Sequence, residues 1–196
     1  LSILIIMKTY NELFITPCKI QIINLFDNEL ISNNLNELLE KSVKDNICPI
    51  SRINSRKLNL NCKQTDYGFR NIHTSNLIEI IKKSLDEYFL NIVDLECTDI
   101  WGGIYNKGDN AVAHIHMPNL LSWVYYVKCE NKNSGITFHN RYNVENGIEN
   151  NVESLNIQPK TGDLIIFPSY IIHSVKEEQY SKERIIIAGN CKERNK

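Results

Sequence analysis

The sequence has little of what marks several large classes of protein. It has no excess of charge of either sign, since 22 lysines and arginines stand against 23 aspartates and glutamates, and the basic residues are scattered rather than clustered. We therefore expect neither nucleic acid nor a membrane surface as a partner. The apolar opening, residues 1–6, is far shorter than a membrane span. These absences leave a small molecule or a protein side chain as the expected partner.

The cysteines also lack a pattern. There are six, with no CxxC pair and no closely spaced set, which favours reduced thiols and a cytoplasmic location. The hydrophobic fraction of 42% and the charged fraction of 23% are ordinary for a soluble globular protein. A length of 196 residues suits one domain over residues 1–196. We expect a strand and two packing helices in residues 1–94 and a β-barrel core in residues 95–196.

The first half of the chain carries the helical patterns. Alternation in residues 14–25 predicts a strand, and apolar residues at helical spacing predict a helix over 28–44, capped by Asp27 or Asn28. A second amphipathic helix is predicted to begin at Thr74 or Ser75. Between the two helices, residues 45–70 are predicted to be an irregular connection.

After Asp94 the pattern changes to short β-rich runs separated by turn residues. The predicted strands are 97–106, 111–117, 120–129, 135–139, 152–157, 163–168, 171–176 and 184–191. Both faces of 120–129 are largely apolar, so this strand is expected to be covered on both sides. The count and the pattern predict an antiparallel double-sheet barrel with the two helices packed outside it.

Three histidines in apolar surroundings are candidate metal ligands. His114 and His116 are one residue apart in a predicted strand, so their side chains are expected on one face. His173 follows another apolar strand, Gly162 to Pro168. Three buried imidazoles would each need an unrelated partner if they bound no metal. We predict that the three histidines form a metal site, and that His73 and His139 are ordinary polar residues.

Arg184 begins the last predicted strand, eleven residues after His173, with Ile186, Ala188 and Asn190 on the same face. A guanidinium that points into an apolar barrel requires an anion. The charged run 176–183 that precedes it is predicted to be a solvated hairpin loop, which could also border a pocket.

These residues resemble a known family. The order His-x-His, a distal histidine and an arginine on the final strand is similar to that of the Fe(II)- and 2-oxoglutarate-dependent oxygenases. The segments NELFITPCKIQI, HIHMPNLLSWVYYV, GDLIIFPSYIIHSV and ERIIIAGN resemble the small, mostly uncharacterised oxygenases of this superfamily found in phages and marine bacteria. The resemblance implies a double-stranded β-helix, a jelly-roll or cupin-like barrel in a mainly β protein with helices.

The resemblance also implies a reaction and its residues. 2-Oxoglutarate would chelate the iron, and the iron would take up O2. Decarboxylation of 2-oxoglutarate to succinate and CO2 would accompany oxidation of a substrate, with hydroxylation as the expected outcome. His114 and His173 fall on the histidine ligands, and Arg184 falls on the residue that holds the distal carboxylate of 2-oxoglutarate. The further candidates for contact with the co-substrate are Tyr126, Tyr105, Ser122 and Asn190.

His116 departs from this family, which usually has Asp or Glu there. A neutral imidazole leaves the iron site one charge more positive. Three interpretations follow: His116 completes a three-histidine iron site, or it lies outside the ligand set and water fills the position, or the protein is not an oxygenase.

Two other functions use the same residues. Gly108 with His114 and His116, and Gly162 with Pro168 and His173, are similar to the two cupin motifs, which would give a metal-binding barrel with non-oxidative, isomerase-like activity. Residues 117–121 lack the acid that a cupin uses as its fourth ligand, Tyr170 stands where a glycine is expected, and cupins do not require Arg184. The third hypothesis is a catalytically inactive barrel that acts as a binding protein. No motif indicates the prime substrate or the oligomeric state.

Overall fold

The fold is a pair of antiparallel β-sheets with two helices packed against one of them. The computed structural model describes residues 10–15, 18–48, 60–130, 133–139 and 154–194. Its helices are α1 (Asn33–Asp45) and α2 (Ile72–Tyr88). Its strands are β1 (Tyr10–Ile15), β2 (Cys18–Asn24), β3 (Leu60–Asn61), β4 (Lys63–Gln64), β5 (Leu95–Tyr105), β6 (Asn110–His114), β7 (Leu121–Lys128), β8 (Ile136–His139), β9 (Ser154–Ile157), β10 (Asp163–Pro168), β11 (His173–Val175) and β12 (Arg184–Glu193).

The two sheets enclose an apolar interior. One sheet has seven strands in the order β1-β2-β10-β7-β12-β5-β4, and the other has five in the order β3-β6-β11-β8-β9. Buried side chains from both sheets form one cluster between them, including Trp101, Tyr126, Phe138, Phe167 and Ala188. This arrangement confirms the predicted jelly-roll barrel of the double-stranded β-helix type.

The helices pack on the outer face of the seven-stranded sheet. Leu39 and Val43 of α1 join Leu77 and Ile81 of α2 in a second apolar cluster. Gly102 of β5 allows this close approach, because a Cβ there would lie 2.8 Å from a methyl carbon of Val43. The helices therefore cover the barrel, as the amphipathic patterns predicted.

Strand β7 is covered on both faces. Trp123 and Tyr125 belong to the cluster under the helices, whereas Val124 and Tyr126 belong to the cluster between the sheets. Because successive side chains of a strand point to opposite faces, a nearly continuous apolar strand must lie between two layers. This confirms the prediction made from the two apolar faces of 120–129.

The predicted start of α1 was wrong. Asn24 folds the chain into a turn, because its Oδ1 accepts hydrogen bonds from the N–H groups of Phe26 (3.1 Å) and Asp27 (2.9 Å). The helix begins only at Asn33, after Ser32 as N-cap, whose side chain accepts from the N–H of Leu35. The early polar residues that resembled a cap are used in this turn.

The start of α2 was also misplaced. Asn71 is the N-cap and Thr74 is its reciprocal partner three residues later, so the two side chains form a capping box. Thr74 therefore lies inside the helix instead of capping it.

Four strands were predicted incompletely. Residues 14–25 fall in two strands, β1 and β2, where one was predicted, and the connection 45–70 contains β3 and β4. β2 pairs with β10 and β4 pairs with β5, so strands before residue 95 are part of the barrel sheets. Residues 49–59 of that connection, and residues 140–153 between β8 and β9, lie outside the described residues.

Two expectations from the composition, reduced cysteines and no membrane-spanning segment, can be compared with the described residues. No disulfide joins the cysteines whose side chains are described, at positions 48, 62, 97, 129 and 191. Within the described ranges, none of the helices is long and apolar enough to cross a membrane.

Candidate metal centre

The three candidate histidines converge on one point of the barrel. Strands β6 and β11 are neighbours, and His114 lies directly opposite His173. One ligand nitrogen from each of His114, His116 and His173 lies within 4.8 Å of the others. The ring centroids are 4.4 Å apart for His114 and His173, 4.9 Å for His114 and His116, and 5.0 Å for His116 and His173. The structure therefore brings together all three residues that the sequence singled out.

A β-bulge in β6 points His114 inward. His173 pairs with His114 and Val175 pairs with Ala111, so three residues of β6 span what two residues of β11 span. The extra residue lets Ala111 and His114 both line the same cavity, although simple alternation would place them on opposite faces. The sequence did not indicate this bulge.

His116 reaches the centre by a different route from the one predicted. Strand β6 ends at His114, so the expected strand 111–117 is shorter and His116 lies beyond it. Its N–H donates to the carbonyl of Ser169 (2.8 Å), at the end of β10. Its ring lies 5.7 Å from that of Trp101. A hydrogen bond to the neighbouring loop, and not the period of a strand, places this imidazole beside the other two.

Backbone carbonyls orient two of the rings. The Nδ1 of His114 lies 2.7 Å from the carbonyl oxygen of Val112, and the Nδ1 of His173 lies 3.0 Å from that of Ile171. A carbonyl only accepts, so the proton of each neutral ring sits on Nδ1. The Nε2 of both rings keeps its lone pair, which is the arrangement that metal-binding histidines use.

Burial keeps the three imidazoles neutral. It lowers the pKa of His173 to about 3 and that of His116 to about 4, in both cases with a smaller contribution from the neighbouring His114, and it also lowers the pKa of His114. Neutral imidazole is the form that binds metal, so these shifts favour ligation at neutral pH.

Arg184 lies in the same cavity and is 1% exposed. Its guanidinium carbon lies 4.1 Å from the centroid of the Tyr105 ring, and its Nη1 donates to the carbonyl of Ser134. Nε and Nη2 have no partner among the described residues. A buried cation with two unbonded donors on one edge fits an anion with two acceptor oxygens, which means a carboxylate.

The predicted tyrosines line this cavity as well. Tyr105 and Tyr126 are buried beside Arg184, and burial raises the pKa of each phenol above its ordinary value. Both hydroxyls therefore stay protonated, and that of Tyr105 already has a hydrogen bond to the Cys62 side chain. The cavity contains about 520 Å³ of empty space, part of it open to solvent.

Ser122 and Asn190 have different places. Ser122 lines the cavity, but its hydroxyl donates to Oδ1 of Asn190 (2.9 Å) and lies 2.8 Å from the hydroxyl of Ser169. Asn190 is buried, is not among the lining residues, and its Nδ2 contacts a carboxylate oxygen of Asp99 at 3.4 Å. Asn190 thus holds Ser122 in position and does not face the cavity.

The donor set fits a divalent metal and a dicarboxylate. Three neutral nitrogen donors suit iron and other first-row metals, and the partnerless edge of Arg184 suits the distal end of the acid. None of the cavity-lining residues that the structure describes carries a carboxylate. No acidic side chain on this lining therefore substitutes for the Asp or Glu that the family usually has at the position of His116. The one charged side chain on this lining is Arg184.

Sequence reasoning missed several contributors. Trp101 and Phe167 are buried and contact the imidazoles: the ring centroids of Trp101 and His116 are 5.7 Å apart, and those of Phe167 and His173 are 4.8 Å apart. His139 bonds the hydroxyl of Ser174 through Nε2 at 2.8 Å, as expected of an ordinary polar residue. The prediction of a solvated 176–183 loop was wrong at Glu178, which is fully buried.

The fold and the site resemble those of a class of metal-dependent oxygenase. Residues 99–190, which contain every residue of the predicted site, match the family described as "Putative 2OG-Fe(II) oxygenase". No curated protein matches the chain. The match covers just under half of the chain, and it makes this part similar to the 2-oxoglutarate-dependent oxygenases, whose cofactors are Fe(II) and 2-oxoglutarate.

Solved structures with the same fold come from bacteria and a virus. A Pseudomonas putida prolyl-4-hydroxylase is 14% identical, with 85% of this chain and 90% of that chain covered and a TM-score of 0.59. The viral collagen prolyl hydroxylase of Paramecium bursaria Chlorella virus-1, in complex with 2OG, is 17% identical over 88% and 94%, with a TM-score of 0.57. HygX from Streptomyces hygroscopicus, with nickel and 2-oxoglutarate bound, is 7% identical over 89% and 82%, with a TM-score of 0.61. At these identities the likeness shows the fold.

Proposed function

We propose that the protein hydroxylates a substrate in a reaction coupled to conversion of 2-oxoglutarate and O2 into succinate and CO2. The observation that carries this proposal is the pairing, in one cavity, of three nitrogen ligands with a buried arginine whose Nε and Nη2 are unbonded. Iron held by the histidines would supply the activation of O2. The residues of the chain supply binding, orientation and exclusion of water.

We assign His114, His116 and His173 as the iron ligands. The carbonyls of Val112 and Ile171 hold the Nδ1 protons of His114 and His173, so each ring presents Nε2 in a fixed direction. His116 takes the place of a carboxylate, so the three assigned ligands would donate no negative charge to the metal. The anionic co-substrate would then provide the neutralising charge.

We assign Arg184 as the anchor of the distal carboxylate of 2-oxoglutarate. Its contact with the Tyr105 ring and its bond to Ser134 fix the guanidinium plane. Tyr126 and Tyr105 supply protonated hydroxyls beside Arg184. Ser122 lies on the cavity wall, and its hydroxyl donates to Asn190. The apolar walls exclude water, which strengthens each of these charged contacts.

Two fold relatives support hydroxylation as the reaction, because both are prolyl hydroxylases. The cupin alternative gives no role to Arg184, and a binding protein without catalysis needs no metal site beside an anion anchor. The prime substrate approaches from the exposed side of the histidines, where His114 and His116 are only partly buried.

The decisive assay is succinate formation by the Fe(II)-loaded protein with 2-oxoglutarate under air. We expect slow production of succinate without a prime substrate, and none after removal of iron or in a His173→Ala variant. A protein that binds iron but neither binds nor decarboxylates 2-oxoglutarate would contradict the proposed function and favour the cupin hypothesis. Full metal affinity in His173→Ala would contradict both metal-dependent functions.

A further inference from the structure

Glu178 is a buried carboxylate in the loop between β11 and β12, and the metal site does not use it. It is 0% exposed, although five of its neighbours in the run 176–183 are charged or carry a polar amide. The ion pairs between described residues do not include it. A buried carboxylate without a cation is costly unless hydrogen bonds satisfy its oxygens, so its bonds indicate what it does.

Those bonds join three segments of the barrel. Oε2 accepts from the N–H of Ser134 (2.9 Å), and Oε1 accepts from the N–H of Tyr180 (3.0 Å). The backbone N–H of Glu178 donates to the carbonyl of Asp109 (2.7 Å), and its carbonyl accepts from the N–H of Gly108 (2.8 Å). The turn before β6, the residues before β8 and the loop before β12 therefore meet at Glu178, the first through its backbone and the second through its side chain.

Ser134 connects Glu178 with the anion anchor. Its N–H is held by Glu178, and its hydroxyl donates to the carbonyl of Glu177 at 2.9 Å. Its own carbonyl accepts from Nη1 of Arg184. Since Nε and Nη2 of Arg184 have no partner among the described residues, this carbonyl is the hydrogen-bond acceptor that sets the rotation of the guanidinium plane.

We infer that Glu178 is a positioning residue for Arg184: it fixes Ser134, which holds Nη1, so that the Nε–Nη2 edge faces the cavity. This inference rests on the proposed function, because it presumes that the edge binds 2-oxoglutarate. A bidentate bond to a carboxylate requires the fork to lie in the plane of the acid, so a small rotation weakens both of its hydrogen bonds.

The test is Glu178→Gln. Glutamine has nearly the same shape, but its NH2 group cannot accept, so either Ser134 or Tyr180 loses its acceptor. We expect the Kd of 2-oxoglutarate, measured by calorimetry on the Mn(II)-loaded protein without turnover, to rise roughly three- to tenfold, the upper value corresponding to about 1.4 kcal/mol. The Kd of Mn(II) should not change. The matched control is Glu177→Gln, which removes the same charge one residue away on an exposed side chain and should leave both constants unchanged.

A double-mutant cycle separates positioning from general loosening of the barrel. If Glu178 acts through Arg184, then Glu178→Gln adds no further loss of 2-oxoglutarate affinity to an Arg184→Met protein, measured with millimolar 2-oxoglutarate. If Glu178→Gln does not fold, Ser134→Ala removes the bond to the carbonyl of Glu177 and should raise the same Kd.

The outcomes are distinct. Wild-type protein that fails to bind 2-oxoglutarate overturns the proposed function. Wild-type protein that binds it, with Glu178→Gln equal to Glu177→Gln, overturns only the role of Glu178. A full additional loss in the Arg184→Met background also overturns that role, because the effect would then not pass through Arg184.

Discussion

Replacing Arg184 by methionine should separate ligand binding from the stability of the free protein. Methionine keeps an unbranched apolar stem against Tyr105 but has no charge and no donors. In the wild-type protein the guanidinium is 1% exposed, has one hydrogen bond to the Ser134 carbonyl, and leaves two nitrogens without a partner. The side chain is therefore arranged for a ligand rather than for the fold.

The effect on the free protein should be small because opposing contributions nearly cancel. The variant loses one charge-assisted hydrogen bond, about 1.5–3 kcal/mol, and a cation–π contact, about 0.5–2 kcal/mol. It is relieved of two buried donors without acceptors, each costing about 1–3 kcal/mol. We expect the free energy of unfolding to change by less than about 2 kcal/mol, in either direction, which corresponds to a Tm change of a few degrees in a chain of this size.

The effect on 2-oxoglutarate binding should be large. The variant loses two hydrogen bonds to a carboxylate, together about 3–6 kcal/mol, which weakens binding roughly a hundred- to ten-thousand-fold. Thermal unfolding of the Mn(II)-loaded protein measures both quantities, because a ligand at about 100 times its Kd stabilises the fold by about 2.7 kcal/mol. Wild-type protein should gain Tm with 2-oxoglutarate, and Arg184→Met should not.

Arg184 is not the anchor if Arg184→Met keeps the full increase in Tm with 2-oxoglutarate. If the free variant unfolds far below the wild-type protein, Arg184 is instead a structural residue, and its unbonded donors need another explanation. Arg184→Lys is the matched control, because it keeps the charge without the paired Nε and Nη2 donors. Its affinity for 2-oxoglutarate should fall between those of the wild-type protein and Arg184→Met.

Three further predictions address the centre and its support. His116→Asp should keep metal binding and raise Mn(II) affinity, since a carboxylate neutralises one charge; a variant that loses the metal would contradict the assignment of His116 as a ligand. Burial lowers the pKa of His173 to about 3 and that of His116 to about 4, so below about pH 6.5 the unfolded metal-free chain binds more protons than the folded one. Thermal melts should therefore show full stability above that pH and a progressive loss down to about pH 3. His173→Gln should reduce this pH dependence, and an unchanged pH dependence would show that burial of His173 does not cause it. Gly102→Ala should destabilise the fold by about 1–3 kcal/mol in chemical denaturation, because its Cβ would lie 2.8 Å from a methyl carbon of Val43. The Kd of 2-oxoglutarate should not change. An unchanged denaturation midpoint would show that α1 shifts freely on β5.

Much of this architecture could be predicted because its causes are local. A strand with two apolar faces, such as β7, has to lie between layers, and a helix with one apolar stripe has to cover a sheet. The chemistry of His114, His173 and Arg184 is also visible in the sequence, since buried imidazoles and a buried guanidinium require partners.

The remainder depends on contacts between distant segments. Asn24 folds the residues after it into a turn. Its Nδ2 is held by the carbonyl of Thr161 and by Oδ1 of Asp163, far along the chain, so the start of α1 was misplaced. The bulge in β6 depends on its pairing with β11, and the position of His116 depends on the Ser169 carbonyl. Glu178 was predicted in a solvated charged run because the N–H of Ser134, one of the two that bond its carboxylate, lies in another part of the chain.

The most direct test of the account is a crystal structure of the protein grown without oxygen in the presence of Mn(II) and 2-oxoglutarate. We expect one metal ion bound by His114, His116 and His173, with 2-oxoglutarate chelating it and its distal carboxylate on the Nε–Nη2 edge of Arg184. A metal bound by two histidines with water in place of His116, or 2-oxoglutarate bound away from Arg184, would contradict the account.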